Sequence, residues 1–182
     1  ISKKKKEMKY IVCEKPKEFK SKEKPMPEPK EGEVLLKIKR IGVCGTDIHA
    51  YGGTQPYFEY PRVLGHELAA EYIKGNAVGF NPGDKVTLIP YFNCGECVAC
   101  RNGLTNCCAN IKVFGVHIDG GMAEYITIPE QYLLHSQGLD YDELALVEPL
   151  AIAAHGVRRA AVEAKDTVLI MGAGPIGIGL IH

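Results

Sequence analysis

The sequence predicts a mainly β barrel or sandwich over residues 1 to about 135, followed by the start of a parallel α/β domain. Three observations predict it. Short apolar runs divided by Gly and Pro turns fill the first part of the chain. An Ala- and Leu-rich stretch with helical spacing follows, "DYDELALVEPLAIAAHGVRRAAVE". The chain then ends on "DTVLIMGAGPIGIGLIH", an apolar run, a Gly turn and the opening of a helix.

Taken in order, residues 9–13 ("KYIVC") and 33–41 ("EVLLKIKRI") read as strands. The second alternates apolar and basic residues, as a half-buried strand does. Between them lies a Lys-rich arm. Residues 1–30 hold eleven Lys against five Glu, a net +6, so the rest of a chain with formal charge +0 carries −6. Nucleic-acid arms combine such charge with Arg and interleaved aromatics. Here Lys alternates with Glu and Pro and no Arg occurs, so the arm reads as a solvated β-hairpin or loop. "GHELAAEYI" enters a further strand, "FNPGDKVTLIP" is a turn feeding another, and "GGMAEYITIP" adds one after a Gly-Gly turn. Asp residues open the helical stretch and can cap it.

The 182 residues, 46% hydrophobic and 24% charged, suffice for one core, or one domain and part of a second. No apolar run approaches the roughly 20 residues of a membrane helix. The opening "ISKKKKEMKY" has charge with no hydrophobic stretch after it, so it is not a secretory signal. Seven cysteines without an export signal point to a reducing, cytoplasmic compartment, where thiols serve as metal ligands rather than disulfides.

Five of the seven cysteines fall within residues 93–108, "NCGECVACRNGLTNCC". Cys94, Cys97 and Cys100 with one further thiolate would wrap a tetrahedral ion at about 2.3 Å per ligand. Gly95 and Gly103 permit the tight backbone. Such a site is closed to water, so its zinc is structural and its binding free energy folds the loop. The spacing leaves the fourth ligand open between Cys107 and Cys108. Cys13, alone in a strand, reads as a small buried hydrophobe.

A second constellation joins Cys44 of "GVCGTDIHAY", His66 of "GHE", and the carboxylates Glu67 and Glu148. One thiolate, one imidazole and one carboxylate leave a coordination position for water or substrate. Taken singly, each residue has a packing or capping explanation. Gly172, Gly174 and Gly177 form G-x-G-x-x-G after an apolar run. The glycines allow the turn, the approach of a pyrophosphate and close helix–strand packing. The acidic residue that selects NAD over NADP falls about 20 residues further on, past His182.

The cysteine cluster, the Cys44 motif, "GHE", Glu148-Pro149 and the Gly-rich turn occur in one order that resembles the zinc-containing medium-chain dehydrogenase/reductase family. These are alcohol and polyol dehydrogenases, and the resemblance runs from about residue 9 to the end. It implies a GroES-like zinc-binding catalytic domain over 1–149 and the incomplete beginning of a Rossmann dinucleotide-binding domain over 150–182. It implies two zinc ions per chain and NAD or NADP. The catalytic ion would be held by Cys44, His66 and either Glu67 or Glu148. The structural ion would be held by Cys94, Cys97, Cys100 and Cys108, with Cys107 free. Asp47 would accept a hydrogen bond from His66. The implied reaction moves a hydride between a secondary alcohol, such as a polyol or sugar acid, and the nicotinamide. Thr46 would take the substrate proton and His49 would pass it to solvent. His117 and Asp119 of "GVHIDGG" are candidates to bind substrate hydroxyls or to make a polar turn, and Tyr51 is a candidate cleft wall.

By the same resemblance the partners are a small-molecule alcohol and further copies of the chain, with no nucleic acid or membrane. Family members continue through more Rossmann strands, so the sequence reads as truncated and the 182 residues alone are expected to be inactive. The competing expectation is a zinc-stabilised binding or scaffold module, or an inactive fragment, with one zinc and no cofactor-dependent activity.

Overall fold

The computed structural model describes residues 6–182; residues 1–5, the head of the Lys-rich arm, lie outside the described residues. The rest of the arm folds as a hairpin of β1 (Glu7–Lys15) and β2 (Glu18–Pro25). Its outer strand is solvated and carries ion pairs such as Lys20–Glu18 at 2.8 Å. Its inner strand is tied down by backbone bonds from Cys13 N to Arg62 O and from Ile11 N to Met122 O, both 2.8 Å. Cys13 is fully buried against Ala50 and Leu64, where it acts as a small apolar side chain.

Next come β3 (Glu33–Gly42), β4 (Glu67–Lys74), β5 (Lys85–Leu88), the short pair β6 (Tyr91–Phe92) and β7 (Lys112–Val113), then β8 (Tyr125–Pro129) and β9 (Leu133–His135). Five of them form an antiparallel sheet in the order β8-β3-β4-β5-β9. Alternation builds the core: Val34 and Leu36, Leu68, Ala70 and Tyr72, Val86 and Leu88, Ile126 and Ile128 all point inward. Ala69 points the other way and is buried under Leu144 and Ala145. That second covering explains why "LAA" in β4 is apolar without a break.

Helix α1 (Gly45–Gly52) follows β3, at a place where the sequence offers a motif but no helical periodicity. α2 (Val98–Arg101) lies inside the cysteine loop. The expected Ala-rich helix is two helices, α3 (Tyr141–Ala145) and α4 (Val147–Ala160), parted at Leu146. Asp140 caps α3: its Oδ1 accepts from the amides of Asp142 and Glu143 at 2.9 Å, and Glu143 accepts from the Asp140 amide at 2.8 Å.

One expectation is corrected. The apolar run before the Gly turn forms no strand, because no ladder partner exists for it among the described residues. A parallel strand is defined by its neighbours' hydrogen bonds; here Leu169 and Met171 are 85% and 90% exposed. The helix does form, as α5 (Pro175–Ile181), with proline at its first turn. Among the described residues, no helix is long and apolar enough to cross a membrane.

Candidate metal centres and cofactor cleft

Strand register assembles the first centre. Gly42, the last residue of β3, pairs with Glu67, the first of β4. Cys44 lies two residues beyond that pair and His66 one before it, so both arrive at the same end of the sheet. One ligand atom each from Cys44, His66 and Glu67 lies within 4.8 Å of the others. His66 and Glu67 are buried, at 5% and 7% exposure. The Glu67 carboxylate folds over Gly42, and a side chain at 42 would overlap it. Glycine is required there for space.

Asp47 does not hold His66 as expected. Its Oδ2 accepts from the Cys44 amide at 3.0 Å and its Oδ1 from the Gly65 amide at 3.2 Å. A carboxylate at the third position of a helix is drawn to the unsatisfied amide at the cap. It thus pins the two backbone segments that carry Cys44 and His66, and leaves His66 Nδ1 buried without a hydrogen-bond partner. A histidine ring atom, a thiol sulfur and a carboxylate oxygen this close together, in a pocket where no protein group satisfies the ring fully, fit a bound cation.

The electrostatics agree. Hydrogen bonding to the His66 ring draws the Cys44 thiol below its usual range, against burial, and Thr46 adds to the effect. Burial pushes the His66 imidazolium down, yet Cys44, Asp47 and Glu148 outweigh it and leave His66 above its usual value. Burial raises the Glu67 carboxyl, and the charge of Glu148 raises it further. Negative groups crowd this point.

Glu148 sits in the first turn of α4 and is 8% exposed. It is outside the close set. The Tyr91 hydroxyl donates to its Oε1 instead. Burial first, and then this bond, raise Tyr91 above the usual phenol range. Sequence reading missed Tyr91, which looks like an ordinary strand residue whose partner is 57 positions away.

The second centre is local. One sulfur each from Cys94, Cys97, Cys100 and Cys108 lies within 4.8 Å of the others. Cys107 is exposed and outside the set. Amides of Cys94 and Asn110 point at the Cys108 sulfur at 3.3 and 3.4 Å. Backbone amides of Cys100 and Ala109 bring the Cys97 thiol down to about 6, while burial and its neighbour Cys97 push Cys100 up to about 11. A fully ionised set therefore needs a cation. No ligand atom in it is a carboxylate or water-facing imidazole.

A cleft of about 1090 Å3 joins Cys44, Thr46, His49 and Glu67 to Gly172, Gly174 and Gly177. Thr46 Oγ1 lies 3.6 Å from the Cys44 sulfur, and His49 Nδ1 lies 3.2 Å from Thr54 Oγ1. The two residues are three apart on α1 and so share a face. Gly172 adopts φ 103°, which favours glycine. A side chain at Gly177 would collide with the Gly172 carbonyl, whereas at Gly174 it would meet open space in which a ligand could lie.

Three other candidates are occupied elsewhere. His117 Nδ1 accepts from the Val113 amide at 3.0 Å, and Asp119 accepts from the Val63 amide at 3.0 Å. Both close the loop, as a polar turn does. Tyr51 stacks on Phe19 of the hairpin with ring centroids 5.0 Å apart, and is not among the residues that border the cleft.

Residues 30–138 match the family described as alcohol dehydrogenase GroES-like domain. The chain is 49% identical over 174 residues to L-galactonate-5-dehydrogenase of Escherichia coli (strain K12), covering 94% of this chain and 51% of that protein. It is 40% identical over 164 residues to sorbitol dehydrogenase of Halalkalibacterium halodurans, covering 88% of this chain and 48% of that protein. A crystal structure of a short chain alcohol dehydrogenase from Escherichia coli complexed with cofactor NADH superposes with a TM-score of 0.88 at 36% identity. It covers 96% of this chain and 52% of that one. The chain thus spans about half the length of the curated relatives it matches.

Proposed function

Because the chain belongs to the alcohol dehydrogenase GroES-like domain family, within the zinc-containing medium-chain dehydrogenases and reductases, we propose that the whole protein is a zinc-dependent oxidoreductase. It transfers a hydride between a secondary alcohol of the polyol or sugar-acid class and NAD or NADP. One observation carries the reading: two members of a three-residue ligand set, Cys44 and Glu67, border the same cleft as the Gly-rich turn. The names of the relatives support the substrate class.

Cys44, His66 and Glu67 would hold the catalytic ion, and Cys94, Cys97, Cys100 and Cys108 the structural one. When bound, zinc supplies the charge that lets an alcohol hydroxyl ionise near neutral pH, and nicotinamide supplies the hydride acceptor. Thr46, beside Cys44, would accept the hydroxyl proton while releasing its own hydroxyl proton toward solvent. His49, one turn further and exposed, delivers it to solvent. Gly172, Gly174 and Gly177 bring the backbone close to the pyrophosphate. The reading extends to a reducing, cytoplasmic compartment, which suits seven cysteines that form no disulfide, and to a homo-oligomer.

The test is a screen of polyols and sugar acids with NAD and NADP, following reduced cofactor by absorbance in the whole protein and in Cys44→Ser. Turnover that disappears in the variant supports the reading. Turnover retained in Cys44→Ser, or none with any secondary alcohol, contradicts it.

A further inference from the structure

We propose that Tyr91 is a positioning residue that holds Glu148 off the metal, so that the Cys44–His66–Glu67 set keeps one coordination position free for substrate. The inference rests on the metal reading above. Two buried carboxylates come to one region, Glu67 at the start of β4 and Glu148 in the first turn of α4, which packs against β4. If both entered, four protein ligands would complete a tetrahedron and close the site, as the four sulfurs close theirs. A cation attracts both, so something else must sort them.

The structure supplies a restraint for each. Gly42 leaves the space that the Glu67 carboxylate occupies. The Tyr91 hydroxyl engages Glu148 Oε1. The Tyr91 main chain is itself fastened, because Tyr91 pairs with Val113 and the preceding Pro90 carbonyl accepts from the Phe114 amide at 2.8 Å. Glu148 also gains from lying in the first turn of a fourteen-residue helix, whose partial positive end favours a carboxylate. The two glutamates face different spaces. Glu67 borders the cofactor cleft, whereas Glu148 and Tyr91 border a separate cavity of about 910 Å3 that Glu67 does not line. Removing one hydroxyl from Tyr91 therefore takes away the hydrogen bond that engages a buried carboxyl group on the helix packed against β4.

Cobalt(II) substituted at the Cys44 centre of the whole protein, with zinc kept in the four-cysteine site, reads this directly. Azide is the probe for a free coordination position, followed through the cobalt visible bands. Tyr91→Phe should weaken azide binding by roughly tenfold and shift those bands. Tyr91→Phe/Glu148→Gln should restore both to the wild-type values, which a merely structural role of Tyr91 would not do. An unchanged azide affinity in Tyr91→Phe overturns the proposal, as does a loss that Glu148→Gln fails to reverse. If Cys44→Ser retains the same cobalt, the metal reading fails first and the proposal falls with it.

Discussion

The two ligand sets are built in opposite ways. The four sulfurs come from a single loop, residues 94–108, and meet through local turns and amides aimed at sulfur. Cys44, His66 and Glu67 come from the ends of two strands and meet only because Gly42 pairs with Glu67. The first set would order its own loop on binding an ion. The second borrows its geometry from the sheet and opens into a cleft. The first set thus depends on one loop alone, whereas the second depends on the register of the sheet.

The comparison can be broken at several points. The largest effect is expected from Cys44→Ser or His66→Ala. Each should lower kcat/KM of the whole protein by about a thousandfold or more, the scale of several kcal/mol of lost charge stabilisation. The fold should persist, as circular dichroism would check. Cys97→Ser should do the converse, loosening the loop so that protease cleavage between residues 93 and 110 accelerates by roughly tenfold or more. The Cys44 centre should still take up metal, measurable by chelator competition. Gly42→Ala should displace the Glu67 carboxylate and weaken metal binding at that centre by about tenfold, leaving the knot loaded.

A smaller effect concerns the metal-free loop and pH. Cys97 is lowered from 9.0 to about 6 and Cys100 is raised from 9.0 to about 11. Between those two values the folded pair keeps one proton. The unfolded chain keeps both below 9 and loses both above it. The unfolded state therefore binds more protons from about 6 to 9, and stability rises with pH there; from 9 to about 11 the sign reverses. Thermal melts of the metal-free protein should show this contribution largest near pH 9 and lost as pH falls through 6, and Cys97→Ser should flatten it. The smallest effect is expected at the substrate end. Asp119→Asn and His117→Ala should leave KM within about twofold, because each gives one polar atom to a loop amide and neither borders the cleft.

What was legible in the sequence follows the same division. The knot could be read because its ligands are near neighbours and their spacing is itself the geometry. Cys44 and "GHE" were legible only as members of an ordered set of motifs, since no spacing rule reveals the β3–β4 register. Gly42 and Tyr91 were invisible: one matters for the space it leaves, the other for a partner 57 residues away. Asp47 matters through a bond other than the expected one, because the backbone amides of Cys44, at the start of α1, and of Gly65, before β4, engage its two oxygens. The apolar run at 166–171 has the composition of a strand, yet a strand also needs neighbours to pair with.

The most direct test counts metal ions per chain in the purified protein and in two variants. The account predicts two zinc ions per chain, and one in each of Cys44→Ser and Cys97→Ser, with the remaining ion more readily removed by chelator in Cys97→Ser. One ion per chain, lost with Cys97→Ser and untouched by Cys44→Ser, would contradict it, leaving the strand-end cluster without the metal on which the proposed chemistry depends.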